Sequence, residues 1–149
     1  MDNRIIGKNE KKKNELIVPL DIEEFVIDDE KFNDEQIISL HFSHPLLFRL
    51  KWIEIGNHCF QHVREFVVDG LVRLESVRIG EGCFKMGYEK RDDGICRITN
   101  CPNLRQLEIG YCSFASFQSF ELSNVNSLQS IQFDFDCFRY AEEFSLKGE

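Results

Sequence analysis

Much that would point directly to a function is missing from this chain of 149 residues. No apolar run approaches the ~18 residues of a membrane-spanning helix. Met1 to Lys13 is polar and holds no apolar stretch of the roughly 7–15 residues that a secretory signal requires. No Asn-x-Ser/Thr acceptor occurs, no Cys-x2-Cys pair, no phosphate-binding glycine loop and no nucleophile elbow. Basic residues are outnumbered, 18 Lys and Arg against 26 Asp and Glu, leaving a net charge of −8. A nucleic-acid or anionic-membrane partner needs a positive face that this balance does not supply. These absences lead us to expect a cytoplasmic protein without membrane insertion, extracellular only if the true N-terminus lies upstream.

Phenylalanine, in contrast, is abundant: 14 against three Tyr and one Trp. Its ring carries no polar atom, so it suits positions buried on every side. With 42% hydrophobic and 30% charged residues, the chain has the composition of one folded domain with a real core.

The chain also repeats itself. Leu50-x2-Ile53-x-Ile55-Gly56-x2-Cys59-Phe60 returns as Leu74-x2-Val77-x-Ile79-Gly80-x2-Cys83-Phe84. It returns twice more, as Leu104-x2-Leu107-x-Ile109-Gly110-x2-Ser113-Phe114 and Leu128-x2-Ile131-x-Phe133-Asp134-x2-Cys137-Phe138. A second motif lies between these copies: Phe66-x-Val68-x-Gly70, Cys96-x-Ile98-x-Asn100, Phe120-x-Leu122-x-Asn124 and Phe144-x-Leu146-x-Gly148. Apolar alternation marks both motifs as short strands. Each strand is followed by Gly, Asn or Asp, which tolerate a left-handed turn. A degenerate earlier unit, Phe25-x-Ile27-Asp28-x3-Phe32 followed by Ile38-x-Leu40, has the same internal spacing.

The organisation that follows is a charged flexible tail over residues 1–15 and one solenoid over 16–149. The solenoid has about five coils, the first a degenerate N-terminal cap and the last truncated. Stacking at about 4.8 Å per coil places like over like. Phe32, Phe60, Phe84, Phe114 and Phe138 should form one internal ladder, and Ile53, Val77, Leu107 and Ile131 another. Outward positions should carry Glu54, Arg78, Glu108 and Gln132 on one ladder, and Val67, Arg97, Glu121 and Ser145 on the other. The alternating charges read as register control.

Ile55-Gly56-x2-Cys59-Phe60, Ile79-Gly80-x2-Cys83-Phe84 and Ile109-Gly110-x2-Ser113-Phe114 resemble the leucine-rich repeat superfamily, and within it the BspA-like class with its Ile-Gly-x-x-Ala-Phe signature. Here Cys or Ser replaces Ala, and the family's proline after the other strand is replaced by pairs such as Thr99-Asn100 and Ser123-Asn124. The resemblance spans roughly Phe25 to Gly148. It implies a right-handed, horseshoe-like solenoid, rich in short parallel strands and poor in helix, used for protein recognition or adhesion. It implies no catalytic residues.

Candidate chemistry is thin. Cys59, Cys83 and Cys137 share a repeat slot and read as small buried fillers; Cys96 and Cys101 occupy slots held elsewhere by Phe and Leu; Cys112, beside a turn, is the thiol expected to be exposed. A disulfide between stacked cysteines would need an oxidising compartment. His58-x3-His62 could present two metal ligands only on a helical bend, so His41, His44, His58 and His62 read as solvated. We therefore expect no enzyme, no metal and no cofactor.

Two departures from the repeat draw notice. An insertion, Lys85 to Gly94, should bulge from one bend with Met86, Tyr88, Lys90 and Arg91 as candidate contacts. The longer link Ser43 to Phe48 should pack over the N-terminal coil as a cap, with an exposed patch for a partner as the alternative. The sequence therefore predicts a non-catalytic interaction or scaffold module that binds another protein through the insertion and an outward ladder (Glu54, Arg78, Glu108, Arg97, Glu121). A surface or secreted adhesin for host protein or glycan is the alternative, and a β-solenoid enzyme a distant third. The Phe144–Leu146 strand should form an open apolar edge through which the chain self-associates.

Overall fold

The computed structural model describes residues 4–6, 11–12, 15–87 and 90–147. Strands occupy Arg4–Ile6 (β1), Lys11–Lys12 (β2), Glu15–Leu16 (β3), Glu24–Ile27 (β4), Ser39–Phe42 (β5), Trp52–Ile55 (β6), Glu65–Asp69 (β7), Ser76–Ile79 (β8), Ile95–Thr99 (β9), Gln106–Ile109 (β10), Ser119–Ser123 (β11), Ser130–Phe133 (β12) and Glu143–Lys147 (β13). No helix occurs among the described residues, so none is long and apolar enough to cross a membrane. The chain climbs as a parallel β-solenoid of about five coils. One sheet runs β1-β4-β6-β8-β10-β12 and the other β13-β11-β9-β7-β5-β3-β2. Among the described residues only the β2–β3 pair is antiparallel. β1, β2 and the start of β3 fall within the expected tail; they are held by backbone pairing, which needs no apolar alternation.

The register stacks the repeat on itself. Phe25, Ile53, Val77, Leu107 and Ile131 pair in sequence along one sheet. Leu40, Phe66, Cys96, Phe120 and Phe144 do so along the other. Both rows point into the space between the sheets, where Phe25, Ile53, Phe66, Val77 and Leu107 have no exposed surface. Burial of each such side chain is worth roughly 1.5–3 kcal/mol.

At the bend after the first sheet the phenylalanine ladder stands as the repeat demands. Rings of Phe32, Phe60, Phe84, Phe114 and Phe138 stack at centroid separations of 5.4, 5.4, 4.5 and 5.1 Å. Every one of these residues has a left-handed backbone, φ between 54° and 59°. The residue two positions earlier is left-handed too: Glu30, His58, Gly82, Cys112 and Asp136. Such a conformation costs a non-glycine residue about 1–2 kcal/mol. It persists because it aims successive amides at opposite neighbours. The His58, Gly82 and Cys112 amides donate forward to Glu81, Tyr111 and Phe135 carbonyls at 2.8, 2.7 and 2.9 Å. Phe60, Phe84 and Phe114 donate backward to Lys31, Cys59 and Cys83 at 3.1, 3.2 and 3.0 Å. A bend without these conformations would strand the amides of the buried residues among them, Phe60, Gly82, Phe84, Cys112 and Phe114, at about 1–3 kcal/mol each.

The turn residues divide into two kinds, where the sequence suggested one. After the second sheet the expectation holds: Gly70, Asn100 and Asn124 have φ of 74°, 57° and 54°. The asparagines also link coils, Asn124 Nδ2 donating to Asn100 Oδ1 at 2.7 Å and Asn100 Nδ2 to Asp69 Oδ1 at 2.9 Å. After the first sheet it fails. Gly56, Gly80 and Gly110 are not left-handed. They are glycine because the coil below is too close. A Cβ on Gly110 would lie 2.6 Å from the Gly80 carbonyl carbon, and one on Gly56 would lie 2.8 Å from the Asp29 amide nitrogen.

Phe84→Ala should lower unfolding free energy by about 3–5 kcal/mol in denaturant titration. Phe84→Gly should be less damaging than Phe84→Ala by about 1 kcal/mol, because glycine accepts the left-handed backbone; the opposite order would show that the bend is not strained. Gly110→Ala should destabilise severely, since backbone lies in the way, whereas Gly70→Asn, with open space around it, should stay within about 0.5 kcal/mol of wild type.

Candidate interaction surfaces

The nine candidate contact residues do not form one site. Glu54, Arg78 and Glu108 stand on the outer side of the first sheet, where Arg78 lies 3.8 Å from Glu54 and 3.7 Å from Glu108. Gln106 also hydrogen-bonds Glu108. Arg97 and Glu121 stand on the outer side of the second sheet, 3.2 Å apart. The core lies between the two faces. Within each sheet the charges alternate from coil to coil, as the sequence suggested. These exposed pairs contribute about 0–1 kcal/mol each, enough to favour the observed register over a slipped one.

The insertion borders the second face and is tied to it. Lys90 Nζ reaches Glu142 at 2.9 Å, raising the lysine pKa and lowering that of the carboxyl. Arg91 bonds Asp93 at 2.9 Å and holds its carboxyl below the ordinary range. Arg64 approaches Asp93 at 3.8 Å. The Gln118 amide donates to both the Asp93 and Gly94 carbonyls at 3.0 Å. Met86, expected as an exposed contact, is instead buried at 6% exposure, with its amide donating to the Gln61 carbonyl at 3.0 Å. The reason is its position two residues after the ladder Phe84, where the backbone still follows the bend and turns the side chain inward. Tyr88 lies outside the described residues. Part of the expected bulge is therefore scaffold, and Lys90 and Arg91 remain at its surface.

The link between β5 and β6 is not the apolar cap expected of it. Leu47 fills its repeat slot at 2% exposure, but Leu46 and Phe48 on either side stand 54% and 48% exposed. Ser43 to Leu46 and Phe48 are all exposed, and within this stretch Leu47 alone turns inward. The slot of Phe48 is filled by Leu20, Val72 and Pro102 in three other coils and by Asn126 in the last, all exposed. This apolar stripe along the turn edge escaped the sequence reading, although aligning turns by repeat position would have revealed it.

The thiols form a column with a purpose beyond filling. Cys59, Cys83 and Cys137 Sγ donate to the Asp28, Gly56 and Gly110 carbonyls of the preceding coil at 3.1, 3.0 and 3.0 Å, and Ser113 Oγ does the same to Gly80 at 2.7 Å. All six cysteines are free. Cys112 is buried, contrary to expectation, within the left-handed bend; Cys137 is the partly exposed one. The hydrogen-bonded Cys59 thiol and burial push Cys83 upward. Burial also raises Cys96, and takes Cys101 and Cys137 to about 11. A raised pKa slows reaction at all four, and Cys137 alone among them is partly exposed. The histidines do not converge: His41 Nε2 pairs with Glu65 at 2.7 Å, His44 Nδ1 accepts the Leu46 amide at 3.0 Å, and His58 lies 3.9 Å from Glu81. Among the described residues no three His, Cys, Asp or Glu side chains are grouped to hold a metal ion.

The raised thiols predict a pH dependence. Above about pH 9 the unfolded chain releases thiol protons that the folded chain keeps, so stability should fall as pH rises from about 9 to 11. Denaturant midpoints at pH 8 and pH 10.5 test this, and Cys101→Val should shrink the difference. An aromatic-disulfide reagent at pH 8 should modify Cys137 first.

Compared with protein-family models, with curated proteins and with solved structures, the chain has no match in any of the three.

Proposed function

We propose that this chain is a protein-recognition scaffold of the leucine-rich-repeat type, nearest the BspA-like class, working in the cytoplasm without catalysis. The repeat signature and the two short strands per coil support the affiliation. Where the family pattern has Ala, the Cys and Ser column supplies donors to the coil below, a departure with a structural rationale. The observation that carries the functional reading is the outer face of the second sheet. There side chains from successive coils are held at fixed spacing by His41–Glu65, Arg97–Glu121 and Lys90–Glu142, with the insertion along one side. A rigid, broad, polar face of this kind suits a protein surface rather than a small molecule, which needs a concave apolar pocket. Mixed charge on the face gives it selectivity between partners more than raw affinity.

Affinity capture from the source lysate tests it with two variants. Lys90→Ala/Arg97→Ala alters the second face, and Arg78→Ala alters the first. A partner retained by wild type and Arg78→Ala but lost from the double variant is the expected result. Equal capture by all three removes the second face from the proposal, and no specific capture by any of them overturns the recognition role.

A further inference from the structure

The slot before each ladder phenylalanine holds Cys59, Cys83, Ser113 and Cys137 in successive coils. Among the described residues Cys59 and Cys83 are therefore the one pair of cysteines in the same slot of adjacent coils. Cys96 pairs with Phe66 and Phe120 instead, and Cys101 shares its slot with Leu71 and Val125. The backbones of the pair are tied together, the Phe84 amide donating to the Cys59 carbonyl at 3.2 Å. A coil spacing of about 4.8 Å falls inside the roughly 4.4–6.8 Å between Cα atoms that a disulfide needs. Cys83 Sγ already points at the coil that carries Cys59, 3.0 Å from the Gly56 carbonyl. Cys59 Sγ points the other way, 3.1 Å from the Asp28 carbonyl, and a rotation about its Cα–Cβ bond turns it toward Cys83.

The two thiols differ in acidity. Hydrogen bonding from Cys83 holds Cys59 below the ordinary thiol range, and backbone hydrogen bonds from Lys31 and Glu30 reinforce it. The same bond, with burial, pushes Cys83 up. One sulfur is thus the readier thiolate and the other keeps its proton, a division seen in redox-active dithiols. Neither side chain has exposed surface. Cys59 nevertheless lies against a turn of the first coil, Asp28 to Lys31, every residue of which is exposed. Hydrogen peroxide is little larger than water and needs only a local opening of that turn, whereas a bulky aromatic reagent needs much more.

We propose that Cys59 and Cys83 are a modification site for hydroperoxides, which join them in a reversible disulfide that staples the second coil to the third. The Cys59 thiolate attacks a peroxide oxygen: the S–O bond forms, the O–O bond breaks, and the departing hydroxide takes up the thiol proton as water. Cys83 sulfur then attacks Cys59 Sγ: the S–S bond forms, the S–O bond breaks, and the hydroxyl leaves with the Cys83 proton as a second water. In all, two thiols lose two electrons and two protons, and one hydrogen peroxide becomes two waters. A thiol donor returns the disulfide to the dithiol, so the site can cycle in a reducing compartment. The closed loop contains β7, and the staple therefore holds the second coil's share of the outer face in register with the third.

Peptide mapping of the folded 149-residue chain tests the assignment, after brief exposure to hydrogen peroxide at neutral pH and alkylation of the remaining thiols. A Cys59–Cys83 crosslink that dithiothreitol removes is expected. Cys59 should be consumed about tenfold faster than Cys96 or Cys101, which are equally buried and whose pKa values burial raises. In Cys83→Ser the hydroxyl takes the donor place that Ser113 fills one coil further on, and dimedone should trap Cys59 as its sulfenic acid. Oxidised wild type should unfold at a higher urea concentration than the reduced form. Cys59 and Cys83 remaining thiols at a dose that oxidises Cys137 would overturn the inference. So would crosslinks among other cysteines forming at the same rate, or no dimedone adduct at Cys59 in the serine variant. An oxidised form with the lower urea midpoint overturns the staple.

Discussion

The spacing between hydrogen-bonded parallel strands, about 4.8 Å, governs everything else in this protein. Two coils cannot stand further apart without losing their ladders, nor closer without collision. Each side chain therefore meets its own counterpart above and below. A position must suit a copy of itself: phenylalanine stacks on phenylalanine, asparagine bonds asparagine, and charge alternates because repetition of one sign would repel. At Gly56, Gly80 and Gly110 a Cβ would run into the coil below, whereas the last coil carries Asp134 in that slot. The phenylalanine bend shows how far the constraint reaches. The backbone adopts an unfavourable left-handed conformation at two residues per coil so that buried amides find carbonyls in both neighbouring coils.

The outer surfaces follow a different logic from the core. Their charges neutralise each other within a sheet, which explains why a chain of net charge −8 presents no uniformly acidic ladder. The insertion, which looks autonomous in one dimension, is anchored by Met86 beneath and by Lys90 and Asp93 at its far end. What it adds to the scaffold is a polar border for the second face.

Period, coil number, inward rows and charge alternation were all legible in the chain, because each depends on residue type recurring at fixed intervals. The register needed only the repeat itself. Conformation within the bend was not legible. Phe84 and Cys112 have no intrinsic preference for a left-handed backbone, and only the competing demands of two neighbouring coils impose it. Exposure of single residues was misread for the same reason: Cys112 and Met86 lie near turns in sequence, yet the bend carries both inward. The candidate contacts looked like one set along the chain and became two faces with the core between them. Sequence by itself determined which residues must stack, since stacking follows from periodicity. Tertiary structure alone decided which way each turn faces and which surfaces adjoin, since those depend on hydrogen bonds and contacts between coils that are distant in the chain.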